Sequence, residues 1–299
     1  MIELIVSRYN EKLNWLLEDP FLKYSATIYN KGPEKNFFVK KKSTDYYDPH
    51  TSRFKFRSLP NVGRESHTFL FHIIENYDNL SDILVFLPGS CMNDIKEHKT
   101  IEVMNKVIDT NDSVIFGKWF SNVKNDLKNF SISRWQGTTR ENISILEEKD
   151  CAPSQISRPF GKWYEHYFNS LVINVVSYTS IFAISKIHIQ QHSIEHYKSL
   201  LESVSTHSNP EDGHFMERAW VAVFSPLPEK CLYTARPIES NSNSNKINNL
   251  LKQENNSMSR MLRMYSQISN NNNNNNDKSN LEHNDKSDLV TTKKQKLDG

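Results

Sequence analysis

The sequence predicts an α/β domain built on a mixed sheet flanked by helices, followed by a disordered tail. Short β-branched runs alternate with stretches of helical spacing, the strand-like runs each end in a polar turn, and the composition changes abruptly after residue 235. Of the 299 residues, 1–235 carry enough apolar and aromatic side chains to bury a sizeable core. Residues 236–299 are dominated by Asn, Ser, Lys and Asp, with an unbroken asparagine run from Asn270 to Asn276. Such a composition cannot offset the entropy lost on ordering, so this tail reads as disordered.

Taken in order, Ile2 to Ser7 predicts a first strand that ends in Arg8-Tyr9-Asn10-Glu11. Leu13, Leu16 and Leu17 then recur at helical spacing up to Asp19-Pro20. Ser25 to Tyr29 predicts a second strand ending in Asn30-Lys31-Gly32-Pro33. From Lys31 to Arg57 the chain makes an excursion in which Lys40, Lys41 and Lys42 stand among Phe37, Phe38, Tyr46, Tyr47, Phe54 and Phe56. Aromatics tucked against the body and solvated lysines account for it, and a grip on nucleic acid is the weaker alternative.

Asn61-Val62-Gly63-Arg64-Glu65-Ser66-His67-Thr68 starts like a turn and continues like a helix, with Leu70, Ile73, Ile74 and Tyr77 as its apolar stripe. Its first-turn amides and the Arg64 cation would suit an anionic ligand such as a diphosphate. Ser81 to Leu87 predicts a third strand that turns at Pro88-Gly89-Ser90. In an open α/β sheet these strand-to-turn junctions share one edge, the edge at which such folds bind ligands. Ile101 to Ile108 predicts a helix, Ser113 to Gly117 a short strand, and Asn129 to Arg158 a polar loop. Ser180 to Ile184 predicts another strand, and Ser185 caps a helix carrying Ile189, Tyr197, Leu200 and Leu201. Last comes an amphipathic helix from His214 to Phe224, on which His214, Glu217 and Arg218 share a face.

Composition excludes several classes. A net charge of +2 gives no global field for nucleic acid or an anionic membrane. Cys91, Cys151 and Cys231 are widely spaced and odd in number, which suits reduced thiols and a cytoplasmic setting. Met1 to Val6 lacks the basic start of a signal peptide, and the apolar run Leu171 to Ile184 is too short to span a bilayer, so no membrane insertion is expected. Lys293-Lys294-Gln295-Lys296 leaves a nuclear address as the alternative. The sequence has no Ser-His-Asp context, phosphate-binding Gly-x-x-x-x-Gly-Lys loop or dinucleotide Gly-x-Gly-x-x-Gly fingerprint.

Four blocks, in order, carry a resemblance: Arg8-Tyr9-Asn10-Glu11, Tyr29-Asn30-Lys31-Gly32, the run Leu59 to Thr68, and Glu217-Arg218-Ala219-Trp220. Together they resemble an uncharacterised domain-of-unknown-function family with GT-A glycosyltransferase-like features, over most of residues 2 to 225. The resemblance implies a GT-A-like, Rossmann-like fold with a nucleotide-sugar site along the strand edge. It would set Arg8, Asn10 and Glu11 near the nucleobase and ribose, with Asn30 and Lys31 beside them. Asn61, Gly63, Arg64 and Glu65 would line the diphosphate-sugar. The acceptor, a glycan or a protein, would lose its proton to Glu217 or Asp212, while His214 and Arg218 support charge on the leaving group.

Such enzymes usually hold a Mn or Mg ion with an Asp-x-Asp pair at a strand end. Here the corresponding strand ends Phe86-Leu87-Pro88-Gly89-Ser90, and Asp94 is the nearest acid beyond it. Either another group holds the metal, or side-chain cations replace it, or the fold is a non-catalytic module that binds a glycan or protein. Trp119, Trp135 and Trp163 could stack on sugar rings, although core packing is the commoner use of tryptophan.

Overall fold

Burial on both faces of the first strand sets the architecture. The computed structural model describes residues 1–38, 53–132 and 151–234. The tail predicted for 236–299, the cluster Lys40 to Lys42 with Tyr46 and Tyr47, and Trp135 lie outside the described residues. In β1 (Ile2–Arg8), Leu4 and Val6 point into one apolar cluster while Ile5 points into the other. A strand buried on both faces reads as a continuous apolar run and belongs at the centre of a parallel sheet.

That is where β1 lies. It pairs in parallel with β2 (Ser25–Asn30), which pairs in parallel with β3 (Phe54–Ser58). The chain then enters α1 (Arg64–Glu75) and returns as β4 (Ile83–Pro88), parallel to β1 on its other side. Next come α2 (Glu97–Thr110), β5 (Ile115–Phe116), β6 (Lys118–Trp119) and α3 (Val123–Asp126). After α4 (Phe160–Phe168) and β7 (Val175–Val176), β8 (Phe182–Ser185) joins the sheet antiparallel to β4. The strand order is therefore β3-β2-β1-β4-β8. Three helices follow, α5 (Lys186–Gln190), α6 (Ile194–Ser203) and α7 (Glu211–Val223), and then β9 (Leu232–Tyr233), which pairs with β5. β6 and β7 form a separate antiparallel pair.

The sheet divides the core. On one face Phe86 and Phe182 meet Phe69 of α1 and Trp220 of α7, with ring centroids 4.9–6.1 Å apart. On the other, Val85 and Leu87 share a cluster with Val103, Met104 and Val107 of α2. Each such side chain contributes about 1.5–3 kcal/mol on burial. No helix among the described residues is long and apolar enough to cross a membrane.

Three expectations need correction. Leu13, Leu16 and Leu17 flank and fill a single 3₁₀ turn, Asn14–Leu17, too short for the α-helix their spacing suggested. The excursion from Lys31 to Arg57 contains β3, whose only buried residue is Phe54, so it has no alternation to reveal it. Its aromatics do tuck in, for Phe37 lies 4.7 Å from Phe56 and Phe38 5.8 Å from Phe54. The helix predicted after Ser185 is two helices, because the chain leaves α5 at Gln191 and restarts α6 only after Ser193.

Candidate functional site

The carboxyl ends of the parallel strands share one edge: Ser58 pairs with Asn30, Asn30 with Arg8, and Ser7 with Pro88. Several residues expected to meet a ligand there hold the edge together. Arg8 is 1 % exposed, donates from Nε to the Glu11 carbonyl at 2.7 Å and from Nη1 to Asn30 Oδ1 at 2.5 Å and the Glu34 carbonyl at 2.6 Å. Its guanidinium also lies 4.5 Å from the centre of the Phe37 ring. Asn30 Nδ2 donates to the Gly32 carbonyl at 2.8 Å. Lys31 Nζ donates to the Val62 and Arg64 carbonyls, tying β2 to the start of α1, and burial pushes its pKa down to about 8 against the pull of Glu65.

Tyr9 and Asn10 remain exposed. The Glu11 carboxylate accepts the N–H groups of Tyr9 at 2.7 Å and Asn10 at 3.1 Å, shaping a small turn beyond the end of β1. Asn61 is also exposed.

The start of α1 is not the open anion site that its sequence suggested. Gly63 adopts φ 62° and donates its N–H to the His207 carbonyl at 2.7 Å, and the Arg64 N–H reaches the Ser208 carbonyl at 3.3 Å. The turn before α7 thus covers these amides. What α1 brings to this edge of the sheet is side chains. Arg64 donates from Nη1 to Asn209 Oδ1 at 3.3 Å, and its Nε lies 3.8 Å from Glu65 Oε2. Burial pushes the Glu65 carboxyl up, but Arg64, its own amide, Lys96 and Ser180 together hold it below the usual range.

The two distant blocks do meet. His214 of α7 donates from Nε2 to the same Asn209 Oδ1 at 3.0 Å, so Asn209 joins it to Arg64. Burial, with Arg64 and Arg218 beside it, keeps His214 neutral well below its ordinary pKa. Glu217 accepts the Thr179 N–H at 2.7 Å through Oε1, while its Oε2 lies 3.5 Å from Arg218 Nη1. Arg218 lies 3.6 Å from the Phe130 ring centre and 5.4 Å from that of Tyr178, and it donates from Nη1 to the His214 carbonyl at 2.7 Å. Its Nε is buried and has no hydrogen-bond partner among the described residues.

Asp212 stands apart from this group. It is 2 % exposed, and its Oδ1 accepts Ser154 Oγ and Trp163 Nε1, each at 2.8 Å. Burial pushes its carboxyl up, opposed by those two donors. Trp163 is itself fully buried in the core. The neighbouring Glu211 is fully buried too, accepting Arg158 Nε at 2.6 Å and the N–H groups of Ile132 and Ser154 at 2.9 and 3.1 Å. The start of α7 therefore anchors the segment from Ala152 to Arg158, while its middle carries Glu217 to the Thr179 amide.

Sequence reasoning missed Lys96, Lys99, Tyr178, Thr179 and Ser180. Lys96 Nζ donates to Ser90 Oγ at 2.9 Å, just beyond the end of β4. Lys99 Nζ donates to Ser177 Oγ at 3.0 Å and the Tyr178 carbonyl at 2.5 Å; burial brings its pKa down to about 8, with Glu217 opposing. The available signal was Lys96 and Lys99 at a helix start, where the dipole disfavours cations. Thr179 and Ser180 both have positive φ, 74° and 52°, and Arg64 has φ 50°. For a β-branched residue that conformation is strained, and strain of this kind collects at functional sites.

Lys99, Tyr178 and Thr179 also line an open cleft, a groove shared with Phe116, Lys118 and Tyr233. Among the described residues the only grouping of three or more metal-capable side chains is Asp112, His188 and Cys231.

The profile of a family described as a protein of unknown function (DUF3431) matches residues 4–238. No curated protein matches the chain.

Proposed function

We propose that this chain, which belongs to the DUF3431 family of unknown function, is a glycosyltransferase. It takes a sugar from a nucleotide-sugar donor seated across the carboxyl edge of the sheet and passes it to a glycan or protein acceptor. One observation supports this reading above all. Arg64 and Lys96 lie around Glu65, and Lys99 and Arg218 around Glu217, beyond the carboxyl end of β4. In open α/β sheets ligands bind outside the carboxyl ends of the strands.

In this reading the exposed turn at Tyr9, Asn10 and Glu11 takes the nucleoside, and Arg64, Lys96 and Lys99 face the diphosphate. Side-chain cations then do the work that a divalent ion does behind an Asp-x-Asp pair. Glu217 is the base, because it is part exposed and only one of its oxygens is tied to the Thr179 amide. It takes the acceptor hydroxyl's proton as that oxygen attacks the anomeric carbon. The bond from that carbon to the diphosphate breaks, and the nucleoside diphosphate leaves with the electron pair while the cations stabilise its charge. Asp212 is too enclosed to serve and keeps α7 in place. The groove lined by Phe116, Tyr178 and Tyr233 offers aromatic faces to an acceptor sugar.

A thermal-shift screen of the full chain against nucleoside diphosphates and their sugars, with and without Mn or Mg, tests the reading. The expected result is stabilisation by one nucleotide class without added metal, since a ligand bound to the native state raises stability by mass action. Arg64→Ala should weaken that shift, whereas Glu217→Gln should keep it and lower transfer by about 10²-fold or more. If no nucleotide at millimolar level moves the curve, with or without metal, the reading fails. The fold would then be a non-catalytic binding module, which Pro88-Gly89-Ser90 in place of an Asp-x-Asp pair also suits.

A further inference from the structure

We propose that Asp112, His188 and Cys231 form a zinc site near the amino ends of the parallel strands, with water as the fourth ligand. β8 runs antiparallel to β4 and ends with Ser185 opposite Ile83, the first residue of β4. The site therefore belongs to the amino-end edge of the parallel strands. Asp112 follows α2, His188 lies on α5, and Cys231 immediately precedes β9. Their ligand atoms all lie within 4.8 Å of one another.

The donor set is a carboxylate oxygen, an imidazole nitrogen and a thiolate sulfur, each a ligand that zinc accepts. Bound to one tetrahedral ion, such atoms sit roughly 3.3–3.8 Å apart, so the group has to draw together on binding. Asp112 and His188 are part exposed and are the ligands that would move, while Cys231 is 1 % exposed.

The surroundings orient the ligands as an outer shell does. His188 Nδ1 lies 2.7 Å from Ser113 Oγ and 3.0 Å from Ser185 Oγ. Ser113 Oγ already accepts the Ser185 N–H at 2.8 Å. With Nδ1–H donating to these hydroxyls, the Nε2 lone pair is left for a metal, the tautomer that outer-shell partners commonly impose on a ligating histidine. Asp112 Oδ1 accepts the Ser113 N–H at 2.7 Å, which leaves Oδ2 to coordinate. In the present state Lys230 Nζ sits on Oδ2 at 2.8 Å, but the Lys230 side chain is 72 % exposed and can swing into solvent. On binding, Cys231 releases its thiol proton to solvent and Lys230 is displaced from Asp112. The ion then joins β9 and its partner β5 to α5.

The test is metal titration of the full chain after chelation, using zinc for thermal shift and cobalt(II) for spectroscopy. Expected are one equivalent of metal, a rise in Tm with zinc, and a thiolate-to-cobalt charge-transfer band in the near ultraviolet that Cys231→Ser abolishes. Ser113→Ala should weaken binding by about 10–100-fold, the usual effect of losing an outer-shell partner. Lys230→Met alters only an exposed side chain and should tighten binding by removing the competitor. No band and no zinc shift in either the unmodified protein or Lys230→Met would overturn the proposal. So would a cobalt band that survives in Cys231→Ser.

Discussion

A methyl group added at Gly63 would come 2.2 Å from the Val204 carbonyl oxygen, on a backbone already at φ 62°. Gly63→Ala should therefore cost more than about 1 kcal/mol, measured by urea unfolding, and should loosen the turn at His207 that closes the start of α1. The sequence pointed to a special glycine at that position but not to its neighbour across space, because Val204 is far along the chain. His67 and His72 are buried, and burial pushes both down to about 4. Between their ordinary value of 6.5 and about 4 the unfolded chain binds protons that the native one refuses. Stability should therefore be full above that window and fall as pH drops through it, by up to about 1.4 kcal/mol per pH unit for each histidine. Urea midpoints across the window check this, and a flat profile from pH 6.5 to 4 would contradict it.

Among the elements, α7 holds the clearest division of labour. Glu211 at its start is fully buried against Arg158 and two backbone amides. Glu211→Ala leaves the buried amides of Ile132 and Ser154 without their acceptor, while Arg158, 38 % exposed, can turn to water, so it should destabilise by about 2–5 kcal/mol. Limited proteolysis should then cut first near Ala152 to Arg158. Nothing in the local pattern separates Glu211 and Asp212, which face inward, from Glu217, which faces the cleft. The direction each carboxylate takes depends on Ser154, Trp163 and Thr179, donors contributed by distant stretches. Strands β1 and β4 were legible because burial on both faces leaves an apolar run, and β2 because a short β-forming stretch ends in the polar turn Asn30 to Pro33. β3 was not, since four of its five residues are exposed and their side chains carry no period. The amides of α1 were legible as a helix start, yet the carbonyls of His207 and Ser208 that cover them belong to a turn whose approach no local rule foretells.

For the molecule as a whole, the carboxyl edge was readable from three polar turns, and the parallel register set them side by side as expected. The cations of the cleft were less so, because Lys96 and Lys99 become neighbours of Glu65 and Glu217 only when α2, the Tyr178 turn and α7 converge. Removing everything after Glu239 retains the residues matched by the family, 4–238, and the pairing of β5 with β9. Such a truncation should leave Tm nearly unchanged in a calorimetric scan, and a fall of many degrees would show that the tail's composition misleads. The central position of β1 also bears on how the chain finds this structure. Glu3 must find Ser25 on one side, and Ile2 must find Ile83 on the other, across a much longer intervening loop. Non-local pairing of that kind slows folding. Until β4 arrives, β1 presents an apolar edge with unpaired amides and carbonyls, the feature that makes intermediates self-associate. A fragment ending before Ile83 should therefore be recovered as aggregate, and refolding of the full chain should lose yield as protein concentration rises.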